Sequence, residues 1–576
     1  MHSQVATSDI LVVGGGIAGA FAAIKARETG ADVVLVDKAF FGRGGASALA
    51  SGVYATYMPG DDMENRLAAT CTAPHVNRRL AERFILRTYE CLMDMDGWGV
   101  KWIKEDGVIA RRMSGGGGTD YPTNAMMAEG GPQMMMALRG HALREGVRVI
   151  NRVMITDLLT SDGAHPTGGA IVGAVGIHTR TAEPWVFRAR ATIICAGAFA
   201  FPYTPVGSFQ GMPQTSSGDG VAAMFRAGAT MGKFEFGGGG MRPSEFFCAP
   251  GLEMLGGLGC RFINDAGEDM LSLDRSQGKY THEDITRGRR SALGNALIKE
   301  AEAGRVVYLD ARHFTADEHR LVKQVVPIVV NTFERAGYDL SKDVVPYRPT
   351  PPGSNGNNGG GARVNERGET SLSGLYAAGN CSDAAYISMG QSLPACSVTG
   401  AWAGESAADF VRGAAATPPD PEQVDELIER ALAPLQREDG ASFPVVHELF
   451  QRMYLEEMGN VLHAERLERA LSQAEAIRTE ELPRLSASDP HDLAKVNALK
   501  NFAEMLAPAL TVLLRRQESR GNILREDYPF IDNENWGCYT VFRRRPDGGT
   551  DFWEEPIPED AEYPVARVKT GHPFFR

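Results

Sequence analysis

The feature that most restricts the fold of this chain is a cluster of glycines between a short apolar run and a helical segment near the N-terminus. Residues 10–13 are typical of a buried parallel strand, residues 20–29 of a helix, and residues 32–36 of a second strand. The GxGxxG glycines between the first strand and the helix are Gly14, Gly16 and Gly19. Glycine permits a tight turn and a close approach of backbone to a pyrophosphate, which the N–H groups of the helix N-terminus attract. The pattern predicts a Rossmann-like dinucleotide-binding unit in a protein of the α/β class.

An acidic residue completes this unit. Asp37 follows the second strand, where a carboxylate in such a unit accepts a hydrogen bond from a ribose hydroxyl, and Lys38 comes next. We therefore expect Ala18, Asp37 and Lys38 to lie with the three glycines at the cofactor. A strand, turn and helix without a ligand is the alternative, but an acid in register with the glycines favours a dinucleotide.

The composition excludes other classes. The 576 residues carry 59 Lys and Arg against 72 Asp and Glu, a net charge of −13, which argues against a general nucleic-acid binder. The 8 cysteines form no CxxC pair, so neither a bound iron–sulfur cluster nor a zinc site is predicted, and no metal is expected. No apolar run reaches the roughly 20 residues that cross a bilayer, and no secretory signal is visible. We expect a soluble, cytoplasmic protein whose electrons are carried by an organic cofactor.

A glycine- and alanine-rich loop narrows the cofactor. Residues 41–52, Phe-Gly-Arg-Gly-Gly-Ala-Ser-Ala-Leu-Ala-Ser-Gly, resemble the flavin-contacting loop of the fumarate reductase / succinate dehydrogenase flavoprotein superfamily, which includes L-aspartate oxidase and the adenylylsulfate reductase alpha subunit. The loop residues expected at FAD are Gly44, Gly45, Ala46, Ser47, Ser51 and Gly52. Gly45 stands at about the position where membrane-bound members carry the His that binds FAD covalently. The resemblance therefore implies non-covalent FAD.

Further segments resemble the same superfamily in the same order. They are a strand leading into Ala-Gly-Ala at 196–198, Ser-Gly-Asp-Gly at 217–220, Gly-Leu-Tyr-Ala-Ala-Gly-Asn at 374–380 and Gly-Gln-Ser-Leu at 390–393. The resemblance places a helix N-terminus at the last segment, against the flavin N1/O2 edge, where its dipole stabilises the anionic reduced ring. The cofactor-binding residues expected from these segments are Ala196, Gly197, Asp219, Gly379, Asn380, Gln391, Ser392 and Leu393.

The resemblance also implies the domain organisation. An FAD-binding domain would comprise residues 1–250 and 340–413, interrupted by a capping domain at 251–339 that closes over the substrate. Residues 421–516 have helical periodicity, and residues 421–530 would form a C-terminal helical domain. Residues 531–576 are rich in proline and charge, which suggests an extended tail, either for subunit contact or solvated.

Two departures from the superfamily bear on the substrate. Its dicarboxylate enzymes carry H-x-x-x-G-G, whose His binds a carboxylate, but residues 354–361 hold no His. They also carry an Arg before G-N-S-L, where this chain has Ile387. An apolar Ile cannot pair with a carboxylate. We therefore expect a non-dicarboxylate organic substrate with no charge or one, a class that includes cyclic and aromatic compounds.

Candidate catalytic residues follow from position in the superfamily. Residues 282–290 occupy the region where its members place an Arg proton donor, so His282, Arg287 and Arg290 are candidates. Asn357 could donate a hydrogen bond to a neutral carbonyl or hydroxyl, and Tyr386 could stack on a ring or act as an acid. The competing interpretations are a charged surface of a capping helix, a glycine-rich turn that favours Asn, and a packed aromatic ring.

These features together predict an FAD-dependent oxidoreductase that moves a hydride between flavin N5 and a small-molecule substrate. One alternative is an adenylylsulfate-reductase-like alpha subunit that works with an iron–sulfur subunit. Another is a flavin-bearing electron-transfer subunit of a larger complex. An external electron carrier and a homo-oligomer are compatible with all three, whereas neither a nucleic-acid partner nor a membrane span is expected.

Overall fold

The computed structural model of the chain is a mixed α/β structure. It describes residues 3–71, 77–113, 119, 121–199, 216–236, 241–246, 255–256, 258–270, 279, 289–349, 360–384, 392–520, 523–556 and 568–575, except the side chains of 289–292.

The strands are β1 (Gln4–Val13), β2 (Val33–Asp37), β3 (Val53–Ala55), β4 (Lys104–Glu105), β5 (Val108–Ile109), β6 (Arg111–Arg112), β7 (Asn124–Met126), β8 (Arg148–Asn151), β9 (Val153–Thr160), β10 (Ile171–His178), β11 (Pro184–Ile194), β12 (Met231–Gly232), β13 (Met241–Pro243), β14 (Arg261–Asn264), β15 (Val307–Asp310), β16 (Val345–Pro349), β17 (Gly361–Ala362), β18 (Leu375–Ala377), β19 (Phe530–Asp532), β20 (Cys538–Arg544), β21 (Thr550–Pro556) and β22 (Lys569–Gly571). The helices are α1 (Ile17–Glu28), α2 (Met63–Thr70), α3 (Arg78–Gly97), α4 (Gly131–Arg144), α5 (Asp219–Ala227), α6 (Arg289–Glu302), α7 (Ala316–Val325), α8 (Pro327–Arg335), α9 (Ser392–Gly413), α10 (Pro421–Leu432), α11 (Phe443–Glu457), α12 (Ala464–Ala476), α13 (Pro490–Arg515) and α14 (Asn533–Trp536).

A seven-stranded sheet forms the centre of the cofactor-binding unit. Its order is β8-β2-β1-β11-β10-β9, and β18 also pairs with β11. Strands β8, β2, β1, β11 and β18 are parallel, whereas β10 is antiparallel to both β11 and β9. The turns that follow the carboxyl ends of β1, β11 and β18 therefore meet at one edge of the sheet, where ligands of such sheets bind.

Strand β1 is longer than the apolar run at 10–13 predicted. Its polar first half, Gln4–Ser8, pairs with Trp185–Ala189 of β11. The pairing partner lies far along the chain, so the local hydrophobic pattern indicates only the buried end of the strand. Helix α1 likewise begins at Ile17, before residue 20, because the amide of Ala20 donates to the carbonyl of Gly16 at 2.9 Å and closes the first turn.

Helices α1 and α9 pack in close contact beside this sheet. A Cβ atom built on Gly400 would lie 2.4 Å from the Ala18 carbonyl oxygen, and one on Gly404 would lie 2.3 Å from that of Ala22. The absence of side chains one helical turn apart on α9 thus lets its backbone approach that of α1. This contact brings the N-terminal halves of the two helices together at the predicted cofactor site.

The insertion forms a second unit with its own core. The sheet β13-β16-β15-β14 packs with helices α6 to α8 around residues such as Phe262, Leu309 and Phe333. The unit therefore extends from β13 to β16, beyond the 251–339 predicted from sequence at both ends. It touches the cofactor-binding unit at Gly52, whose Cβ position lies 2.4 Å from the Val325 carbonyl oxygen.

The C-terminal region contains helices α10 to α13 and then two strands that return to the cofactor-binding unit. Strand β20 pairs with β12, and β21 pairs with β20, in the sheet β17-β12-β20-β21. This differs from the extended tail predicted for 531–576, because Val541 and Phe542 are fully buried and a strand far along the chain supplies the pairing. No helix in the described ranges is both long enough and apolar enough to span a bilayer.

Candidate active site

The turn after β1 requires glycine at two positions. Gly14 has φ +107°, and a Cβ there would lie 2.4 Å from the Cys195 carbonyl oxygen at the end of β11. A Cβ on Gly19 would lie only 1.8 Å from the carbonyl oxygen of Gly14. The missing side chains let α1 start directly above the strand ends, as dinucleotide binding requires.

The N-terminus of α1 is open to an anion. Its first amide, Ile17 N, donates to Ser47 Oγ at 3.1 Å. The amides of Ala18 and Gly19 precede the first intrahelical bond, donated by Ala20, and Gly16 supplies no capping side chain. These N–H groups and the positive end of the helix dipole can receive a phosphate.

Asp37 is the last residue of β2 and accepts two backbone hydrogen bonds beside the glycine turn. Its carboxylate accepts from the amide of Gly15 at 2.6 Å and from that of Ala39 at 2.7 Å. Burial raises the pKa of Asp37 above its ordinary value, and these two amides act in the opposite direction. The carboxylate therefore holds the glycine turn in place and has lone pairs left for a ribose hydroxyl.

Lys38 and Asp219, both predicted to contact the cofactor, pair with each other. Lys38 Nζ lies 2.5 Å from Asp219 Oδ2. Asp219 Oδ1 accepts from Ser217 Oγ and from Asn501 Nδ2, each at 3.0 Å. This cluster joins the C-terminal end of β2, the N-terminus of α5 and the middle of α13.

The flavin loop lies between the glycine turn and the capping unit. Its residues Ala46–Leu49 form a 3-10 turn after Gly45, which has φ +77° and no atom within 4 Å of a Cβ built on it. Ser51 is buried and Gly52 adjoins the capping unit, whereas Gly44 packs against Ala39. The loop thus presents open backbone at Gly45.

The second glycine turn contacts the first. Gly197 has φ +88°, and its carbonyl accepts from Cys381 Sγ at 3.0 Å. A Cβ on Gly379 would lie 2.9 Å from Ala18 Cβ, and the Gly379 amide donates to Thr399 Oγ1 at 2.8 Å. Ala196 lies next to Gly14, and Ser392 and the buried Leu393 begin α9. The described parts of these segments therefore lie around the N-terminal end of α1 and the start of α9.

Two observations test whether this groove fits FAD. The side-chain oxygen of Asn380 is buried and accepts no hydrogen bond from any described residue, which is costly unless a ligand supplies a donor. The Cβ positions of Gly45 and Gly197 have no neighbour closer than 3.7 Å. An orphaned acceptor beside open backbone at a helix N-terminus fits a flavin dinucleotide.

The thiols beside the groove are not reactive groups. Burial raises the pKa of Cys381 and that of Cys396 to about 12. A thiol with such a pKa stays protonated at neutral pH and is a poor nucleophile. These cysteines therefore fill space next to the cofactor.

The predicted catalytic residues are not placed. His282, Arg287, Asn357 and Tyr386, as well as Gln391, lie outside the described residues. Arg290 belongs to α6, but its side chain is also outside them. Their roles stay predictions.

Sequence reasoning missed two residues that position the site, Thr399 and Asn501. Thr399 lies on α9 about two helical turns after Ser392. This spacing could have indicated that Thr399 is on the same face of the helix as Ser392. Asn501 contacts Asp219 from 282 residues away, and nothing in its local sequence indicates that contact.

Two family profiles match the chain. That of the FAD binding domain matches residues 9–398, and that of the fumarate reductase flavoprotein C-terminal region matches residues 447–568.

Individual relatives are similar over nearly the whole length. An uncharacterized FAD-dependent oxidoreductase of Methanocaldococcus jannaschii is 26% identical, over 96% of this chain and 98% of that protein. The fumarate reductase flavoprotein subunit of Mycobacterium tuberculosis is 28% identical, over 95% of this chain and 96% of its own length. Among solved structures, adenylylsulfate reductase from Archaeoglobus fulgidus has a TM-score of 0.82 at 20% identity and covers 98% of this chain and 97% of its own. The similarity to the Archaeoglobus fulgidus enzyme shows a shared fold only.

Proposed function

Because this chain belongs to the FAD binding domain family and is an FAD-dependent oxidoreductase, we propose that it moves a hydride between flavin N5 and a non-dicarboxylate organic substrate. The proposal is supported by the cofactor groove that the described residues form and by the absence of His and Arg at the two positions where the resemblance places carboxylate-binding residues. Residues 354–361 hold no His, and Ile387 stands where dicarboxylate enzymes carry Arg. A cyclic or aromatic substrate would need neither of these carboxylate-binding residues.

Different groups of the chain would bind different parts of the cofactor. The amides at the start of α1 bind the pyrophosphate, and Asp37 holds a ribose hydroxyl. Gly379 contacts the N-terminal part of α9 through Cys396 and Thr399, and the N-terminus of this helix would stabilise negative charge on the ring. FAD supplies the hydride chemistry at its N5 atom.

The capping unit closes the site. The last turn of α7 contacts the cofactor-binding unit. There the amide of Glu129, from the cofactor-binding unit, donates to the carbonyl of Gln324 at 2.9 Å. Closure excludes water from the reacting atoms. We assign the proton to Arg287, Arg290 or His282, and substrate orientation to Asn357 and Tyr386.

Anaerobic reoxidation of the reduced flavin tests the substrate class. We expect 2-cyclohexenone or cinnamate to restore the flavin absorbance at least about tenfold faster than fumarate, a barrier difference of about 1.4 kcal/mol. Fumarate reacting fastest would contradict the non-dicarboxylate assignment. A purified chain that is colourless and takes up no added FAD would overturn the whole proposal.

The second candidate is an adenylylsulfate-reductase-like alpha subunit. It is supported by the absence of Arg at Ile387, a feature of that type, and by the fold likeness to the Archaeoglobus fulgidus enzyme. Sulfite would then perturb the flavin spectrum of the purified chain, and an iron–sulfur subunit would co-purify. If a second chain co-purifies but neither sulfite nor an organic acceptor reacts, an electron-transfer subunit is the better description. We place the protein in the cytoplasm in all three cases. An external electron carrier and self-association are compatible with each of them.

A further inference from the structure

On each side of the junction between the two units, the outgoing strand pairs with the returning strand. The chain leaves the cofactor-binding unit after β12 and returns to it at β17, and these two strands pair with each other. It enters the capping unit at β13 and leaves at β16, which also pair. Strands β13 and β16 are therefore the strands of the capping sheet that follow and precede the cofactor-binding unit along the chain.

Arg242 points away from the capping core at this junction. Its neighbour Met241 packs against that core, as does Tyr347, which is paired across the strands with Pro243. Side chains alternate between the faces of a strand, so Arg242 and its cross-strand partner Arg348 lie on the other face. Arg348 is exposed, whereas Arg242 is only 7% exposed. The Arg242 side chain is thus largely buried on the face of β13 opposite the capping core, in the strand by which the chain enters the capping unit.

This buried cation lacks a partner in the part of the chain that the structure describes. Its Nε and Nη1 are buried and make no hydrogen bond there, and no carboxylate among the described residues forms an ion pair with it. Burial and the neighbouring Arg348 lower the pKa of Arg242 to about 10, so that it is still charged at neutral pH. An unpaired buried charge is strongly unfavourable. A ligand that supplies an acceptor would remove this cost.

We propose that Arg242 is the anion-binding residue of the substrate pocket, so that the substrate carries one carboxylate or comparable oxyanion. This inference rests on the proposed function, because it takes the junction of the two units as the place of reaction. It narrows the substrate from neutral or singly charged to singly charged. Guanidinium groups bind carboxylates and other oxyanions through charge-assisted N–H donation.

The test measures the melting temperature of the FAD-loaded protein with sodium acetate, with acetamide and with sodium chloride at equal ionic strength. We expect acetate to raise the melting temperature of the wild type and acetamide to leave it unchanged. Arg242→Met should abolish the acetate response, and Arg242→Lys should keep part of it. Arg348→Gln is the matched control from the same strand pair, and we expect it to respond as the wild type does.

A second readout separates binding from a structural role. Without acetate, Arg242→Met should melt at least about 1 °C above the wild type, because it removes an uncompensated buried charge. Equal acetate responses of the wild type and Arg242→Met would overturn the inference, as would a lower melting temperature of the variant without acetate. Neither result would touch the proposed function, whose failure shows instead as absent flavin or absent reoxidation.

Discussion

Gly19 lies where the backbone of α1 crosses the turn after β1. The Cβ of any other residue would come within 1.8 Å of the Gly14 carbonyl oxygen, and that oxygen belongs to backbone that cannot move without displacing the strand end. The same turn orients the amides that receive the pyrophosphate. Both the packing of α1 against the turn and the orientation of these amides therefore depend on the absence of a side chain at Gly19.

We predict that Gly19→Ala lowers FAD occupancy of the purified protein by more than about tenfold, or prevents folding, because the clash moves α1 off the sheet. The flavin-to-protein absorbance ratio and the melting temperature check this. Gly97→Ala, in α3, is the control, since a Cβ there meets no atom within 4 Å. Its flavin content should equal that of the wild type. Full flavin content in Gly19→Ala would show that the turn can relax.

The sequence predicts the location of individual site residues better than their contacts. Gly14, Gly197 and Gly379 each lie in the turn after a strand of the central sheet, and each of these strands can be recognised locally. Lys38 and Asp219, both predicted to contact the cofactor, also bind each other. An ion pair between residues 181 apart depends on packing, which no local motif encodes.

At the scale of elements, the C-terminal end joins parts that are remote in sequence. Strand β22 pairs with β19. Phe574 packs with Ile298 of α6 and with Leu524, and Lys299 lies over its ring. The last residues of the chain thus contact the capping unit. The proline and charge content of residues 531–576 suggested an extended tail, because few apolar residues in this segment pack against the rest of the chain.

His572 makes this docking sensitive to acid. It is 1% exposed, and its Nδ1 accepts from the Phe574 amide at 3.2 Å. Burial, with Arg520 and Lys299 nearby, lowers the pKa of His572 to about 4. Between about pH 6.5 and pH 4 the unfolded chain therefore binds a proton that the folded chain does not, and stability falls as the pH falls through this window.

We predict that His572→Gln reduces the loss of stability between pH 6.5 and pH 4 by about 2–3 kcal/mol. Unfolding of the FAD-loaded protein by urea at several pH values measures this. His491→Gln removes an exposed histidine and should leave the pH dependence as it is in the wild type. Parallel pH profiles for the two variants would refute the assignment.

At the scale of the whole molecule, the cofactor site is held by segments from both ends of the chain. Helix α13 follows the cofactor-binding sequence by about a hundred residues, yet its Asn501 donates to Asp219 and accepts from Arg226 Nη1 at 3.0 Å. Arg226 in turn bonds Asp157 of β9 at 2.6 Å. Helical periodicity predicted α13 but could not show that its polar face supports the site.

Asn501→Leu should therefore affect the cofactor as well as the fold, and Asn497→Leu separates the two. Both residues are buried on α13, and Asn497 bonds only the carbonyls of Ala431 and Leu493 among the described residues. Each substitution leaves buried polar groups unsatisfied and should cost about 1–3 kcal/mol of stability. Only Asn501→Leu also loosens Asp219 and Lys38, so it alone should raise the FAD dissociation constant, by about tenfold, as measured by fluorescence on dilution. Equal FAD affinities in the two variants would mean that α13 stabilises the fold without acting on the cofactor site.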